Sequence, residues 1–336
     1  MTARSPRRIA IIAGLVLLAA FSGGARAETV KVGSLKAGTS AGIVAIAREK
    51  GYFAAENLTA ESVYFETAQP IAVAGVSGDI DIGITGLTAA FYSLAGHGAL
   101  RIVGGYTREV PTFRLTSYVV SKQAFAAGLT SFKDFPGHSV AVPVLGSPPH
   151  YSLALLAEKY GFDLKSLRIL QLQTNANQVS AVSGGQADIG LIQVTAVMPA
   201  IERGDVKLLG WVGDETPWQL GAIFVATKTA DERGDMVRRF LRAYAKGLRD
   251  YHDAFTGPDE HRKDMATAAE NLAIIAQAVG QPAELVRLGL GYPDLRLDVK
   301  DILHQIAWYR SQGLLKSEVD GDALIDKRYV TPLPER

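Results

Sequence analysis

Two stretches far apart in this chain repeat one another, and the repetition narrows the folds open to it. Aligned on Gly78 and Gly185, residues 72–86 (AVAGVSGDIDIGITG) are echoed by residues 179–193 (VSAVSGGQADIGLIQ). In each copy a helical run of small residues ends in glycine, and Asp-Ile-Gly then opens a short apolar segment. Gly78 or Gly185 supplies the left-handed residue that stops a helix. The apolar residues after it suit a strand buried on both faces. Gly83 and Gly190 remove side chains where another backbone, or a ligand, comes close. Two copies in matching helix-to-strand contexts predict two lobes of similar build.

The pattern around each copy agrees. Strands are expected at 29–35, 60–65, 81–85 and 100–104, alternating with helices at 41–50, 69–77 and 89–95, as in a largely parallel α/β sheet. An extended run at 113–120 then leads to a second cycle, with strands at 139–144, 167–172, 188–193 and 207–212 and helices at 151–160, 177–183 and 199–203. A second extended run at 219–227 returns the chain, and only helices follow, at 235–255, 262–279, 282–289 and 299–312. Two extended connectors flanking a self-contained unit suit a hinged pair of lobes. The expected division is residues 28–114 with 223–336 in the first lobe and 115–222 in the second.

The N-terminus is separable. Arg4, Arg7 and Arg8 precede the apolar run 9–21, and Ala25-Arg26-Ala27 follows as an A-x-A cleavage site. This is the three-part pattern of a secretory leader, so residues 1–27 are expected to be removed and the rest exported to the periplasm. Without the leader the chain carries 31 basic and 34 acidic residues, a net charge of −3, which argues against nucleic-acid binding. There is no cysteine, hence no disulfide, thiolate metal site, cysteine nucleophile or lipoprotein anchor.

Four pieces in order carry a family resemblance. They are Gly42-Ile43 with Ala47-Arg48-Glu49-Lys50-Gly51-Tyr52-Phe53; Gly78-Asp79-Ile80-Asp81-Ile82-Gly83; Ser131-Phe132-Lys133-Asp134-Phe135-Pro136-Gly137; and Ala187-Asp188-Ile189-Gly190. Over nearly all of residues 28–336 the chain resembles ABC-transporter substrate-binding proteins of the nitrate/sulfonate/taurine type. The resemblance implies the type II periplasmic-binding-protein fold: two α/β lobes, two crossing hinge segments and a ligand between them. It also implies a monomeric receptor whose partners are a small solute and the transmembrane subunits of an ABC permease.

No H-E-x-x-H, P-loop or G-x-G-x-x-G occurs, and the six histidines lack metal-ligand spacing, so neither cofactor nor metal is expected. Ligands of parallel α/β units bind at the carboxyl ends of strands, where loops and helix starts expose N–H groups. Four such ends give the candidate site: Gly38-Thr39-Ser40, Thr85-Gly86, Ser147-Pro148 and Gln193. Trp218, just before the second connector, is placed to close over the cleft. Phe65, Tyr106 and Tyr151 are further aromatic candidates, and Lys36, Arg108 and Arg114 candidate cations. Helix starts favour an anionic head, which points to a sulfonate or carboxylate. The competing readings are a receptor for a neutral pyrimidine-like solute, and an enzyme on the same fold. The resemblance extends to thiamine-pyrimidine synthases and menaquinone-pathway enzymes, although the former carry a cysteine-rich segment that this chain lacks.

Overall fold

The computed structural model describes residues 27–36 and 39–334; the expected leader up to residue 26, and Gly38, lie outside them. Twelve strands are numbered in chain order. β1 (Glu28–Leu35), β2 (Leu58–Phe65), β3 (Ile82–Gly86) and β4 (Leu100–Gly105) precede the short β5 (Thr107–Arg108). β6 (Thr116–Ser121), β7 (Ser139–Val142), β8 (Arg168–Gln171), β9 (Ile189–Gln193) and β10 (Val206–Trp211) follow. β11 (Gly221–Ala226) returns the chain, and β12 (Tyr292–Pro293) pairs with β5.

The strands form two five-stranded sheets of identical design, β2-β1-β3-β11-β4 and β8-β7-β9-β6-β10. In each the first three strands run parallel, and the other two neighbours pair antiparallel. The two sequence copies become β3 and β9, the central strands, buried on both faces up to their last residue. The fourth strand of each sheet is exchanged. β6 enters the second sheet straight from the first, and β11 re-enters the first after the second is complete.

The repeated aspartates do the same job in both sheets. The Asp81 carboxylate accepts the Lys31 backbone N–H at 2.8 Å, and the Asp188 carboxylate accepts the Ser139 N–H at 2.8 Å and its hydroxyl at 2.7 Å. Each stitches the start of a central strand to its parallel neighbour. Burial pushes Asp188 up, but the Ser139 donors and His138 outweigh it and hold the carboxyl below its usual range. The glycines after them make room for core side chains rather than for a ligand. A β-carbon on Gly83 would strike the Phe224 ring, and one on Gly190 would come within 2.9 Å of Ile192 and Val182. Gly78 ends the helix Ala68–Ser77 at φ +83°. In the second copy the helix Asn175–Ser183 is capped by Gly184 at φ −85°, and Gly185 takes the left-handed turn one residue later.

Some boundaries differ from the sequence pattern. The extended run at 113 becomes strand only at Thr116, because Thr112 at φ +72° and a Val110–Phe113 bridge make a tight turn first. The helix expected at 199–203 starts at Val194 and runs through Pro199. The one expected from 262 starts at Ala268, since Arg262 is held in an antiparallel bridge to Thr256. The helix Val299–Ser311 lies against both halves: Tyr309 packs on Tyr92 at 5.7 Å, and Trp308 on Tyr151 at 5.4 Å. Among the described residues no helix is long and apolar enough to cross a membrane.

Candidate functional site

The chain crosses between the sheets twice, along residues 106–115 and 212–220, and the crossings are bonded to each other. Glu109 N–H donates to the Trp218 carbonyl at 3.0 Å, and Trp218 N–H donates to that of Glu109 at 3.1 Å. In front of them the strand-end loops of the two sheets meet. Ala89 N–H donates to the Gly146 carbonyl at 2.9 Å, and a β-carbon on Gly86 would lie 3.3 Å from the Pro148 ring. Gly146 adopts φ +78°, and a β-carbon there would stand 2.7 Å from that of Ala89. Only glycine allows this approach. On another side of the joint a β-carbon on Gly289 would come within 2.9 Å of Thr195, just after Gln193.

The structure thus brings Gly86, Ser147 and Pro148 together. Thr85 is buried beside them, with its hydroxyl oxygen unpartnered among the described residues. Trp218 is 2% exposed, packs on Tyr151 at 4.9 Å, and has an indole N–H without a partner among the described residues. Gln193 is exposed and its side-chain oxygen faces Asn175 Nδ2 at 3.4 Å. Thr39 and Ser40 are sealed in. The Thr39 hydroxyl oxygen accepts the Gly291 N–H at 2.8 Å, and Ser40 N–H donates to the Tyr106 hydroxyl at 2.9 Å.

These bonds bear on the anion argument. The start of the helix Thr39–Glu49 directs Ser40 N–H at a tyrosine, so that amide is not open to a ligand. The helix Pro148–Tyr160 opens with two prolines, which have no N–H, and the next two amides, of His150 and Tyr151, bond back to the Ser147 carbonyl. Ser147 turns its hydroxyl to the Val144 carbonyl at 2.7 Å. Donors for an anion therefore have to come chiefly from side chains. Arg108, in the first crossing, has a buried Nε with no partner among the described residues, and Arg114 lies over the Trp211 ring.

Sequence reasoning missed three features of the joint. The Tyr151 hydroxyl is 3.0 Å from an Asp301 oxygen and 2.7 Å from His304 Nδ1, tying the helix Pro148–Tyr160 to the helix Val299–Ser311. His150 accepts the Gly146 N–H on Nδ1 at 3.1 Å, and burial pushes its pKa down to about 4, so the ring is neutral. Glu109 is 1% exposed, with neither carboxyl oxygen bonded among the described residues. Burial raises its pKa to about 8; the Thr116 hydroxyl opposes the rise, and Asp214 adds a still smaller increment to it. Two open depressions, about 440 and 450 Å³, are lined by none of the strand-end candidates: one lies between the helices Pro148–Tyr160 and Val299–Ser311, beside Trp308 and Phe162, the other beside Phe65 and Pro70.

The fold is shared with several solved structures. The periplasmic aliphatic sulphonate binding protein SsuA from Escherichia coli superposes with a TM-score of 0.69 at 18% identity, over 92% of this chain and 94% of that one. The alkanesulfonate-binding protein SsuA from Xanthomonas axonopodis pv. citri, bound to MOPS, gives 0.67 at 20% identity, over 89% and 98%. The desulfurization enzyme DSZB gives 0.61 at 14% identity, over 91% and 96%, so the same fold also carries an enzyme. No curated protein sequence matches the chain. The two-sheet architecture is that of periplasmic binding proteins, and a family model described as NMT1/THI5 like matches residues 39–261. By that match over most of its length, the chain belongs to the NMT1/THI5-like family.

Proposed function

We propose that this protein is a periplasmic receptor that takes up a small organic anion between its two lobes and delivers it to an ABC importer. The observation that carries the reading is the meeting of strand-end loops at Ala89–Gly146 and Gly86–Pro148, in front of two bonded crossings. A solute that touches both lobes only when they are closed shifts the population to that form, and a permease can then recognise the closed pair. The sulfonate-binding structures of the same fold make sulfonates the first class to test, with carboxylates second. The sealed helix starts favour a reading in which side chains recognise the acid, Thr85, Arg108 and Gln193 among them. An enzyme reading has less support. Among the described residues the joint shows no nucleophile activated by a neighbouring base, and the chain has no cysteine.

A thermal-shift screen of residues 28–336 tests this. A ligand at a thousandfold excess over Kd stabilises by about 4 kcal/mol, which the melting curve resolves. The expected result is a shift with organic sulfonates or carboxylates that Thr85→Val or Arg108→Gln weakens. A shift with neutral pyrimidines alone would leave a receptor and overturn the anion. Turnover of a bound sulfonate or sulfinate would overturn the receptor.

A further inference from the structure

Six side-chain polar atoms that lack a partner among the described residues sit on or beside the two crossings: Thr85 Oγ1, Arg108 Nε, Glu109 Oε1 and Oε2, Thr216 Oγ1 and Trp218 Nε1. Such atoms are rare in folded proteins, and gathering them at one joint points to a partner that comes and goes. Glu109 is the most demanding of them. Its neighbours offer it little: the Thr116 hydroxyl is the one neighbouring donor that lowers its pKa, the Tyr118 hydroxyl is given to the Ser152 carbonyl, and Asp214 is a second acid. A buried carboxyl without bonds costs more than a leucine of similar size that would fill the same space. Its backbone is pinned to Trp218 in an antiparallel pair, which sends the two side chains out on the same face. Thr116, next to it, stands opposite the exposed Gln193, where β6 begins and β9 ends.

We infer that Glu109 is the specificity residue of the interlobe site and reads an N–H donor, a protonated amine or amidine, on the captured solute. The inference rests on the receptor reading and adds the other end of the ligand: an acid held by hydroxyl and guanidinium groups, a nitrogen held by Glu109. Burial keeps the carboxyl protonated at neutral pH. When an ammonium enters, the carboxyl loses its proton to solvent, the ammonium keeps its own, and a neutral ion pair replaces a neutral acid.

The test is calorimetric titration at pH 7, in buffers of different ionisation enthalpy, with matched probes: 2-aminoethanesulfonate against ethanesulfonate, 4-aminobutyrate against butyrate, and butylamine and benzamidine alone. The expected result is a preference of about ten- to a hundredfold for an amine-bearing probe, the range of a charged hydrogen bond. Its binding releases about one proton, as deprotonation of a single carboxyl requires. Glu109→Gln removes both the preference and the release, and Glu109→Asp keeps the release. Equal affinity for probes with and without nitrogen, or a preference that survives in Glu109→Gln, overturns the inference while the receptor stands. Binding of butylamine or benzamidine alone, lost in Glu109→Gln, supports the inference and overturns the anion. Failure of every nitrogen-bearing probe overturns it. Should Glu109→Gln fail to fold, the proton count on the wild-type protein decides.

Discussion

The Asp188 carboxylate holds the backbone N–H of Ser139 at 2.8 Å and its hydroxyl at 2.7 Å, joining β9 to β7 one residue before their shared ladder begins at Val140 and Ile189. Replacing Asp188 by alanine leaves the Ser139 donors without an acceptor. The expected loss is about 1–3 kcal/mol, read from urea unfolding, and Asp81→Ala should lose less because Arg233 and a single backbone amide are its partners. Equal losses would show that the two copies are not used differently.

The glycine after each aspartate predicts a second asymmetry. Gly83→Ala drives a methyl into the Phe224 ring, whereas Gly190→Ala meets the ends of Ile192 and Val182, which can move. Gly83→Ala should cost about 1–3 kcal/mol, the range for overpacked cores, and Phe224→Leu in the same chain should recover part of it. Thermal unfolding of the single and double variants checks this. Additive losses would contradict the contact.

Gly146→Ala should open the joint. The substitution combines an unfavourable positive φ with a clash against Ala89 across the lobes. The expected outcome is a larger radius of gyration in solution scattering and weaker solute binding. An unchanged radius would mean that the lobes do not approach each other through this loop.

Glu109 gives stability a slope with pH. The folded carboxyl keeps its proton up to about pH 8, while the unfolded one loses it near 4.5, so the native state binds more protons between those values. Stability therefore falls as pH rises through that window, by at most about 1.4 kcal/mol per unit from this group. Asp214 is the acid named beside it, and Glu109→Gln should flatten the slope. Denaturant midpoints measured across pH 5 to about 8 decide the matter; a variant with the wild-type slope would assign it elsewhere.

How much of this was readable beforehand follows from the range of each interaction. The alternation of strands and helices, the Gly78 cap and the equivalence of β3 with β9 are written in contiguous residues, and the structure bears them out. The two prolines after Ser147 were equally visible, and already removed the amides on which an anion at that helix start depends. The fate of Ser40 was not visible, because its partner Tyr106 is supplied from a different strand end. Glu109 lies in the polar-looking segment Thr107-Arg108-Glu109, and only Trp218, brought back by the second crossing, turns it inward. Pairings that span the whole second lobe leave no local trace.

The exchanged strands also set an order in time. The first sheet cannot close until β11 arrives between β3 and β4, and β11 is made only after every strand of the second sheet. The inner unit can therefore mature while the outer one still lacks a central strand, with β3 and β4 exposing unpaired edges. Such long-range closure is slow compared with local pairing. A chain cut short before Gly221 would retain a whole second sheet and an unfinished first, so pulse-labelled hydrogen exchange should find β7 and β9 protected ahead of β3.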